Sequence, residues 1–282
     1  MDKLLILEQH IHGAFGVDFN TAEVNDILFV AEKLYKRGIV AFFPTLVTDT
    51  IENINRQIKI IKEAASKCKS IAGIHLEGIF LNPEKKGIHN PEHFLPLTIE
   101  NFKLIEDSFI KIVTLAPELD EGLIDYLKSK NIKVQAGHCT GWGLVDGTTH
   151  LFNAMSGINH RKSSTALSSL IEDTIYTEII ADGVHVSNEA LKLVFKTKPD
   201  DKIILISDAL PITSSKEKEC IFAGYKIFYD GKKATSSDGT IAGSTMLLDE
   251  IVERLNAMGI FKAQYIENAW AYHGLNPKDF IL

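Results

Sequence analysis

The chain has 282 residues, a formal net charge of −7 and a hydrophobic content of 45%. The negative charge argues against a general nucleic-acid binder, which needs a basic face. It permits a phosphorylated small molecule that a few local cations would hold. The hydrophobic fraction is enough for a buried core, and the length fits one large α/β barrel or two ordinary domains.

The cysteines and the N-terminal segment add two further expectations. Cys68, Cys139 and Cys220 are odd in number and far apart, so they predict neither a disulfide framework nor a cysteine metal site. The chain runs directly into LLILEQHIHG without a basic region or cleavage-site pattern, and no apolar run is long enough to span a bilayer. We therefore expect a cytoplasmic protein that has neither a membrane nor a nucleic acid as a partner.

Eight short apolar segments follow one another along the chain, and each leads to a polar residue. Continuous runs of Val, Ile and Leu are typical of strands that are buried on both faces. Functional residues at the carboxyl ends of such strands are typical of a (β/α)8 barrel enzyme. The segments are LLILEQHIH (His10, His12), IVAFFPT (Thr45), IAGIHLEG (Glu77), IKIVTLAPE (Glu118), IKVQAGH (His138), TTHLFNAM (His150), YTEIIADGVH (His185) and KIILISDA (Asp208).

Helical patterns lie between these segments. Asn20 and Glu23 have the spacing of a capping box before a helix that runs to Gly38, and a stripe from Ile51 to Ala65 predicts a second helix. Strands alternating with helices predict parallel strands and right-handed crossovers. Eight such units without a glycine-rich nucleotide fingerprint favour an α/β fold of the (β/α)8 TIM-barrel type over an open sheet. Further helical patterns cover residues 98–107, 121–130, 165–173, 187–196 and 245–258.

Two segments depart from the regular alternation. The residues between His138 and His150, CTGWGLVDGTT, are too few for a normal helix, so the fifth crossover should be a shortened loop or a single turn. Residues 214–244, after the eighth strand, predict a small β-hairpin that turns at Asp230–Gly231. We expect residues 1–282 to form a single barrel domain.

His10 and His12 are candidate metal ligands. Residues i and i+2 of a strand point to the same side, so both imidazoles should face the barrel interior. Two neighbouring imidazoles suit a borderline divalent ion such as zinc or iron. Glu77, His138 and His150 complete a set of three strand-end ligands, which is the pattern of a catalytic zinc site that leaves room for water.

Other polar residues have less defined roles in the sequence. Asp208, after the last strand, could accept a proton from attacking water and return it to a leaving amine. His185 could bind a metal ion, a substrate oxygen or a phosphate. Arg161 and His89 could bind substrate or be merely solvated, and Glu118 is interpreted as structural.

These motifs, taken in order, resemble a known family. They are GIHLEGIFLNPEKKGIHNPEHF, VTLAPE, AGH, THLFNAM, the arginine of NHR, IADGVHV, ISDA and DGTIAGS. From about His10 to its last helix the chain resembles the N-acetylglucosamine-6-phosphate deacetylase family of the amidohydrolase superfamily. The LEG…KKG-x-HNP segment and THLFNAM are highly specific to that family, whereas H-x-H and the single aspartate occur across the superfamily.

The resemblance implies roles for individual residues. Glu77, His138 and His150 would bind the principal divalent ion, with zinc expected and iron as the alternative. Asp208 would be the catalytic acid and base, and His89 would polarise the acetamide carbonyl as the second catalytic group. The implied substrate-binding residues are Ile88, His89, Asn153, Ala154, Arg161, His185, Ile241, Ala242 and Gly243.

Family members differ in how many ions they bind. Some retain the H-x-H pair and hold a second metal ion, so His10 and His12 imply one or two ions here. The family also tends to dimerise, with the partner's arginine reaching the phosphate. This implies a homodimer whose interface includes the loop around Asn159–Lys162.

The chain departs from the family pattern in three ways. Usual members carry a β-sandwich domain built from both chain ends, but few residues precede His10 or follow Gly274, so we expect no separate sandwich domain. The loop between His138 and His150 is shorter than usual. Finally, Lys162-Ser163-Ser164-Thr165 replaces a glycine-containing stretch on the substrate side.

Three functions are compatible with these observations. The leading one is metal-dependent hydrolysis of N-acetylglucosamine 6-phosphate to glucosamine 6-phosphate and acetate. The second keeps this chemistry but acts on another N-acylated amino sugar or its phosphate. The third is a barrel that binds a sugar phosphate without turnover, and the complete Glu/His/His/Asp set speaks against it.

Overall fold

Residues 4–281 are described by a computed structural model and form a barrel of eight parallel strands. Strands that are consecutive in sequence are neighbours in the sheet, and every neighbouring pair is parallel. All eight predicted strands are present, so the predicted fold class is confirmed. The strands are β1 Ile6–Ile11, β2 Ile39–Val47, β3 Ile74–Glu77, β4 Ile110–Leu115, β5 Lys133–Ala136, β6 Gly147–Thr148, β7 Tyr176–Ile180 and β8 Ile203–Ile206.

The barrel closes between β1 and β8 at the carboxyl ends of the strands. The N–H of Asp208 donates to the carbonyl of His10 at 2.9 Å, and the N–H of His12 donates to the carbonyl of Ala209 at 2.9 Å. Further along the seam, the buried Glu8 carboxyl group accepts main-chain N–H groups from both sides at 3.0 Å. Closure therefore places three candidate site residues, His10, His12 and Asp208, side by side.

Eight helices of residues 4–281 cover the barrel. In the second helix, the Thr50 hydroxyl accepts the N–H of Asn53 at 3.2 Å as an N-cap. Ile54, Ile58 and Ile61 then form the buried stripe expected from their spacing. None of the helices described has the length and apolar character that a membrane span requires. The helices are α1 Val24–Lys36, α2 Ile51–Ala65, α3 Ile99–Lys103, α4 Leu123–Ser129, α5 Thr165–Ile171, α6 Asn188–Thr197, α7 Leu248–Ala257 and α8 Gln264–His273.

The helix prediction was wrong in detail at two places. Asn20 does not cap α1: Glu23 is the N-cap and forms the capping box with Asp26. The Asn20 side chain instead bonds both main-chain groups of Val47, at 3.0 and 3.2 Å, and so ties the first loop to the end of β2. Helix α8 was not among the predicted helices, and it packs outside the closing seam, where Trp270 donates to a main-chain carbonyl at 2.9 Å.

The fifth crossover contains no helix, as its length predicted. The predicted hairpin after β8 is larger than expected: the turn at Asp230–Gly231 is present, but two further short strands extend it into a four-stranded antiparallel sheet. Phe222 and Ile227 of this sheet belong to one buried hydrophobic cluster with Ile88 and Val47, at the carboxyl end of the barrel. Its strands are β9 Glu219–Phe222, β10 Tyr225–Tyr229, β11 Ala234–Ser236 and β12 Ile241–Gly243.

Candidate metal centre

Glu77 lies at the centre of a group of imidazole nitrogens that come from different strands. Its Oε1 atom is 2.8 Å from Nε2 of His150 and 3.2 Å from Nε2 of His138. These two nitrogens are 3.2 Å apart, and all three side chains are buried. The carboxyl ends of β3, β5 and β6 thus bring the three principal ligands predicted from the sequence to one point.

The second carboxylate oxygen of Glu77 faces another group of donor atoms. Its Oε2 atom is 3.2 Å from Nε2 of His10 and 3.0 Å from Nε2 of His12. Oδ1 of Asp208 completes this group, at 3.3 and 3.1 Å from the same nitrogens. One carboxylate therefore lies between two sets of donor atoms and contributes one oxygen to each.

Hydrogen bonds on the far side of the imidazoles decide which ring nitrogen carries the proton. Nδ1 of His138 donates to the Lys85 carbonyl at 2.8 Å, and Nδ1 of His12 donates to a carbonyl of β2 at 3.3 Å. Nδ1 of His10 donates to the Glu178 carboxylate at 3.1 Å. Each Nε2 is left with a lone pair facing Glu77, as in metal-binding histidines. The Nε2 atoms of His10 and His12 are 3.3 Å apart, and lone pairs at this distance repel unless a cation lies between them, so these residues fit a divalent ion.

The charges of the group favour a cation. Burial lowers the pKa of His12, but hydrogen bonds to Asp208 and Glu77 outweigh it and raise that pKa to about 9, so a positive charge is favoured at this point, carried by a proton or by a metal ion that takes its place. Burial would raise the pKa of both carboxylates, yet the charge of His10 and the surrounding hydrogen bonds hold them well below their ordinary values. Both carboxylates are therefore anions at neutral pH, which favours a positive ion between them.

Three candidate ligands have a left-handed backbone conformation. The φ angles are 49° at His138, 29° at His150 and 54° at Asp208. Non-glycine residues seldom adopt this conformation, which costs about 1–3 kcal/mol per residue and persists where the surrounding structure enforces it. Such strain clusters at functional sites, and these strained residues are ones whose side chains meet in the metal group.

His89 is held beside the metal group by Thr48. The Thr48 hydroxyl is 2.9 Å from Nδ1 of His89, and the Thr48 N–H donates to the same nitrogen at 3.3 Å. Because Nδ1 accepts, Nε2 carries the proton, and it lies 3.8 Å from Glu77. Burial and the nearby His138 lower the pKa of His89 well below its ordinary value, so the ring is a neutral donor. Gly78 permits this packing, since a Cβ there would lie 2.4 Å from the Thr48 hydroxyl.

A cavity of about 410 Å³ opens from the metal group, within the usual size range of ligand sites. Lys85, Lys86, Asp238 and Thr240 also line it, although they were not predicted. A larger cavity of about 800 Å³ lies at the amino-terminal end of the barrel and is lined by none of the candidate ligands. The predicted substrate-binding residues that line the smaller cavity are Ile88, His89, Asn153, Ala154, His185, Ile241, Ala242 and Gly243.

His185 lines this cavity and is paired with a carboxylate. Its Nδ1 donates to the Asp182 carboxylate at 2.8 Å, and the other oxygen of Asp182 accepts two main-chain N–H groups of the same loop. Burial lowers the pKa of His185, but the hydrogen bond to Asp182 and the charge of that carboxylate raise it above its ordinary value. Below this raised pKa, Nε2–H of His185 is a charged donor suited to an anionic group.

Arg161 does not line the cavity of its own chain. It is exposed in the loop 157–163, where its N–H donates to the Asn159 side chain at 2.8 Å and its Nε donates to His160 at 3.1 Å. Its predicted substrate contact is therefore absent within one chain and stays a prediction about the partner subunit. Glu118 is also remote from the metal group and binds the N–H of Thr140 at 2.6 Å, a structural role.

Sequence reasoning missed the residues that hold the ligands in place. Glu178 interrupts an apolar strand, and Asp182 lies three residues before His185, so both left a signal that could have been used. Thr48 left none, because its importance depends on where His89 returns to the barrel. Lys85 acts on His138 through its carbonyl, which no side-chain pattern reveals.

A parallel barrel with buried histidines and carboxylates at its strand ends, next to a ligand-sized cavity, defines a metal-dependent hydrolase. The profile of the Amidohydrolase family matches residues 6–282. The chain belongs to the amidohydrolase family, and the resemblance seen in its motifs is confirmed.

Its relatives include several sugar-phosphate deacetylases. The chain is 34% identical over 265 residues to N-acetylglucosamine-6-phosphate deacetylase of Bacillus subtilis, with 87% of this chain and 67% of that protein covered. It is 29% identical to N-acetylgalactosamine-6-phosphate deacetylase of Escherichia coli O157:H7, with 93% and 74% covered. The crystal structure of N-acetylglucosamine-6-phosphate deacetylase from Thermotoga maritima matches with a TM-score of 0.89 at 27% identity, covering 96% of this chain and 78% of that one.

Proposed function

We propose that the protein hydrolyses the N-acetyl group of N-acetylglucosamine 6-phosphate, giving glucosamine 6-phosphate and acetate. One observation carries the proposal: a single cavity is lined by the metal group around Glu77, the neutral donor His89 and the charged donor His185. Cleavage of an amide needs the metal group and a donor such as His89. Binding of a phosphate needs a cationic donor such as His185. The names of the relatives from Bacillus subtilis and Thermotoga maritima agree with it.

Asp208 and His89 would carry the proton transfer and the charge stabilisation. Asp208, with one oxygen toward His10 and His12 and its side chain lining the cavity, would take a proton from the attacking water. As the C–N bond breaks, it would deliver that proton to the leaving amine. The Nε2–H of His89 would donate to the acetamide carbonyl oxygen, where negative charge develops.

We propose that the centre binds two divalent ions and that Glu77 would contribute one carboxylate oxygen to each set of ligands. A divalent ion, when bound, supplies Lewis acidity and lowers the pKa of a coordinated water. Imidazole-rich sites suit zinc and iron, so zinc is the proposed ion and iron the alternative. One ion would be held by Glu77, His138 and His150, and the other by Glu77, His10, His12 and Asp208.

The phosphate of the substrate would bind to the cationic side chains that line the cavity. These are His185, Lys85 and Lys86. Charge-assisted hydrogen bonds to phosphate are about twice as strong as neutral ones, so a phosphorylated sugar should be strongly preferred over the free sugar.

The pH dependence of KM should report on His185. The imidazolium is present below its raised pKa, so KM for the phosphorylated sugar should rise as pH increases through that pKa. In Asp182→Asn the supporting carboxylate is lost and burial lowers the pKa, so the rise in KM should move to lower pH. Steady-state kinetics of both proteins at matched pH values checks this. If the KM profiles of the unaltered protein and of Asp182→Asn superimpose, His185 does not bind the phosphate.

The alternative substrate is another N-acylated amino sugar phosphate. It is favoured by the relative from Escherichia coli, which is named for N-acetylgalactosamine 6-phosphate. Acetate release from N-acetylglucosamine 6-phosphate, N-acetylgalactosamine 6-phosphate and both free sugars separates these substrates by kcat/KM. Binding without acetate release from any of them would instead support a barrel without turnover.

We propose that the protein forms a homodimer through the loop 157–163. Ile158 in this loop is half exposed, and Leu144 in the shortened fifth crossover is 78% exposed. The two segments are tied together, because the Thr165 hydroxyl donates to the Gly141 carbonyl at 2.8 Å. A second copy that covers these side chains would let each Arg161 reach the cavity of the other chain.

Replacing Arg161 by alanine should raise KM for the phosphorylated sugar with little change in kcat. A hydrogen bond to a charged group contributes about 1.5–3 kcal/mol, which corresponds to roughly 10–100-fold in KM. Light scattering should show a dimer for the unaltered protein, and Lys162→Ala in the same loop is the matched control. A monomer whose KM does not respond to the substitution would contradict the proposal.

Three predictions from the sequence stay predictions. They are the cytoplasmic location, the absence of nucleic-acid and membrane partners, and the organisation of the chain as one barrel without a separate β-sandwich domain.

A further inference from the structure

Glu178 is a fully buried carboxylate in the middle of β7. Its relative exposure is 0%, and it does not line the cavity. A buried ion is costly unless it is paired and hydrogen-bonded. Its side chain bonds His10 and Gln9 inside the barrel. The reaction proposed above does not use this carboxyl group.

Every contact of Glu178 brings a donor to it. Oε2 accepts Nδ1–H of His10 at 3.1 Å and the N–H of His150 at 3.3 Å. Oε1 accepts the side-chain amide of Gln9 at 2.6 Å, and the oxygen of that amide accepts Nε2–H of His273 at 3.1 Å. Gln9 cannot reverse its amide without placing its oxygen against the carboxylate. Both His10 and Gln9 therefore donate to Glu178, and Gln9 in turn accepts from His273. With its proton on Nδ1, His10 presents the Nε2 lone pair toward Glu77.

His75 does not compete with His10 for this carboxylate. Its ring lies 4.6 Å from that of His10. Its Nδ1 lies 3.1 Å from the Gln9 carbonyl, and its Nε2 lies 2.7 Å from the Thr114 hydroxyl. Both ring nitrogens of His75 are therefore engaged away from Glu178. Within residues 4–281, His10 is the imidazole that pairs with Glu178.

We propose that Glu178 is the positioning residue that makes His10 a ligand of the second ion. It holds the imidazole ring in place, fixes its tautomer and increases the basicity of Nε2 through the hydrogen bond to Nδ1. Partners of this kind change metal affinity by about 10–100-fold when removed. The inference rests on the two-ion centre proposed above, and it concerns the ion held by His10, His12 and Asp208.

The test is a metal titration of Glu178→Gln, which removes the charge but keeps an acceptor of the same size. Metal-free protein is titrated with Zn²⁺ in competition with a chromophoric chelator, and bound zinc is counted by elemental analysis. The unaltered protein should bind two ions. In the variant, the dissociation constant of the ion held by Glu77, His138 and His150 should change by no more than about twofold. The second ion should bind about 10–100-fold more weakly.

Thr177→Val, on the same strand, is the matched control. Thr177 bonds Ser169 on α5, away from the metal group, so this variant should bind both ions normally. Circular dichroism checks folding, and Gln9→Leu, which removes the 2.6 Å bond, should weaken the second ion in the same direction if Glu178→Gln does not fold. Equal second-ion affinity in Glu178→Gln and the unaltered protein would overturn this inference alone. One ion in the unaltered protein would overturn the two-ion centre, and the inference with it.

Discussion

Replacing His150 by alanine should remove the ion held with Glu77 and His138 and lower turnover by about 10³-fold or more. The imidazole lies 2.8 Å from Glu77 and 3.2 Å from His138, so its loss opens one side of the site. An ion that acts as a Lewis acid contributes several kcal/mol to the reaction, and each 1.36 kcal/mol is tenfold in rate. The zinc content, measured by elemental analysis, and the rate of acetate release should fall together in the same preparation.

The control for this experiment is His93→Ala. His93 lies outside the metal group and the cavity, so its replacement should leave both zinc content and activity unchanged. Circular dichroism separates loss of metal from loss of fold. Full zinc occupancy in His150→Ala would show that His150 is not a ligand.

Replacing Asp208 by asparagine should lower turnover by roughly 10²–10⁴-fold, the usual contribution of a general acid–base group. The amide keeps the size of the side chain and an oxygen that can face His10 and His12. It can no longer take a proton from water or return one to the amine. The ion held by Glu77, His138 and His150 should remain bound, so zinc analysis should show at least that ion.

Asp201→Asn supplies the comparison for Asp208→Asn. Asp201 is exposed in the middle of the short 3₁₀ turn Asp200–Lys202 before β8, and its amide variant should have normal activity. If Asp208→Asn turned over substrate at a near-normal rate at every pH, Asp208 would be reduced to a structural role.

Much of the candidate site could be predicted because its residues lie where parallel strands end. His10, Glu77, His138 and Asp208 each follow a run of apolar residues, and the carboxyl ends of such strands meet at one face of a barrel. This rule is local, since it depends on the order of apolar and polar residues within one segment. It identified the residues of the metal group without any knowledge of the distances between them.

The length of a segment was enough to predict one irregular feature, the fifth crossover. The segment between His138 and His150 is too short for a crossover helix, and the structure has none there. The small sheet after β8 was underestimated because its two further strands, β9 and β12, are only four and three residues long. Strands of that length have too few positions for an alternating pattern, so pairing with neighbours determines them.

The tertiary structure alone decided how the ligands are related and held. Glu77 lies between two groups of donors because closure of the barrel brings β1 and β8 together, the two strands most distant in sequence. Glu178 faces His10 across 168 positions of the chain, and no pattern within one segment contains that contact. Arg161 shows the opposite case: its motif predicts a ligand contact, but its own chain directs it into solvent. Local order determines which residues a strand offers, whereas distances between strands depend on packing and closure of the whole barrel.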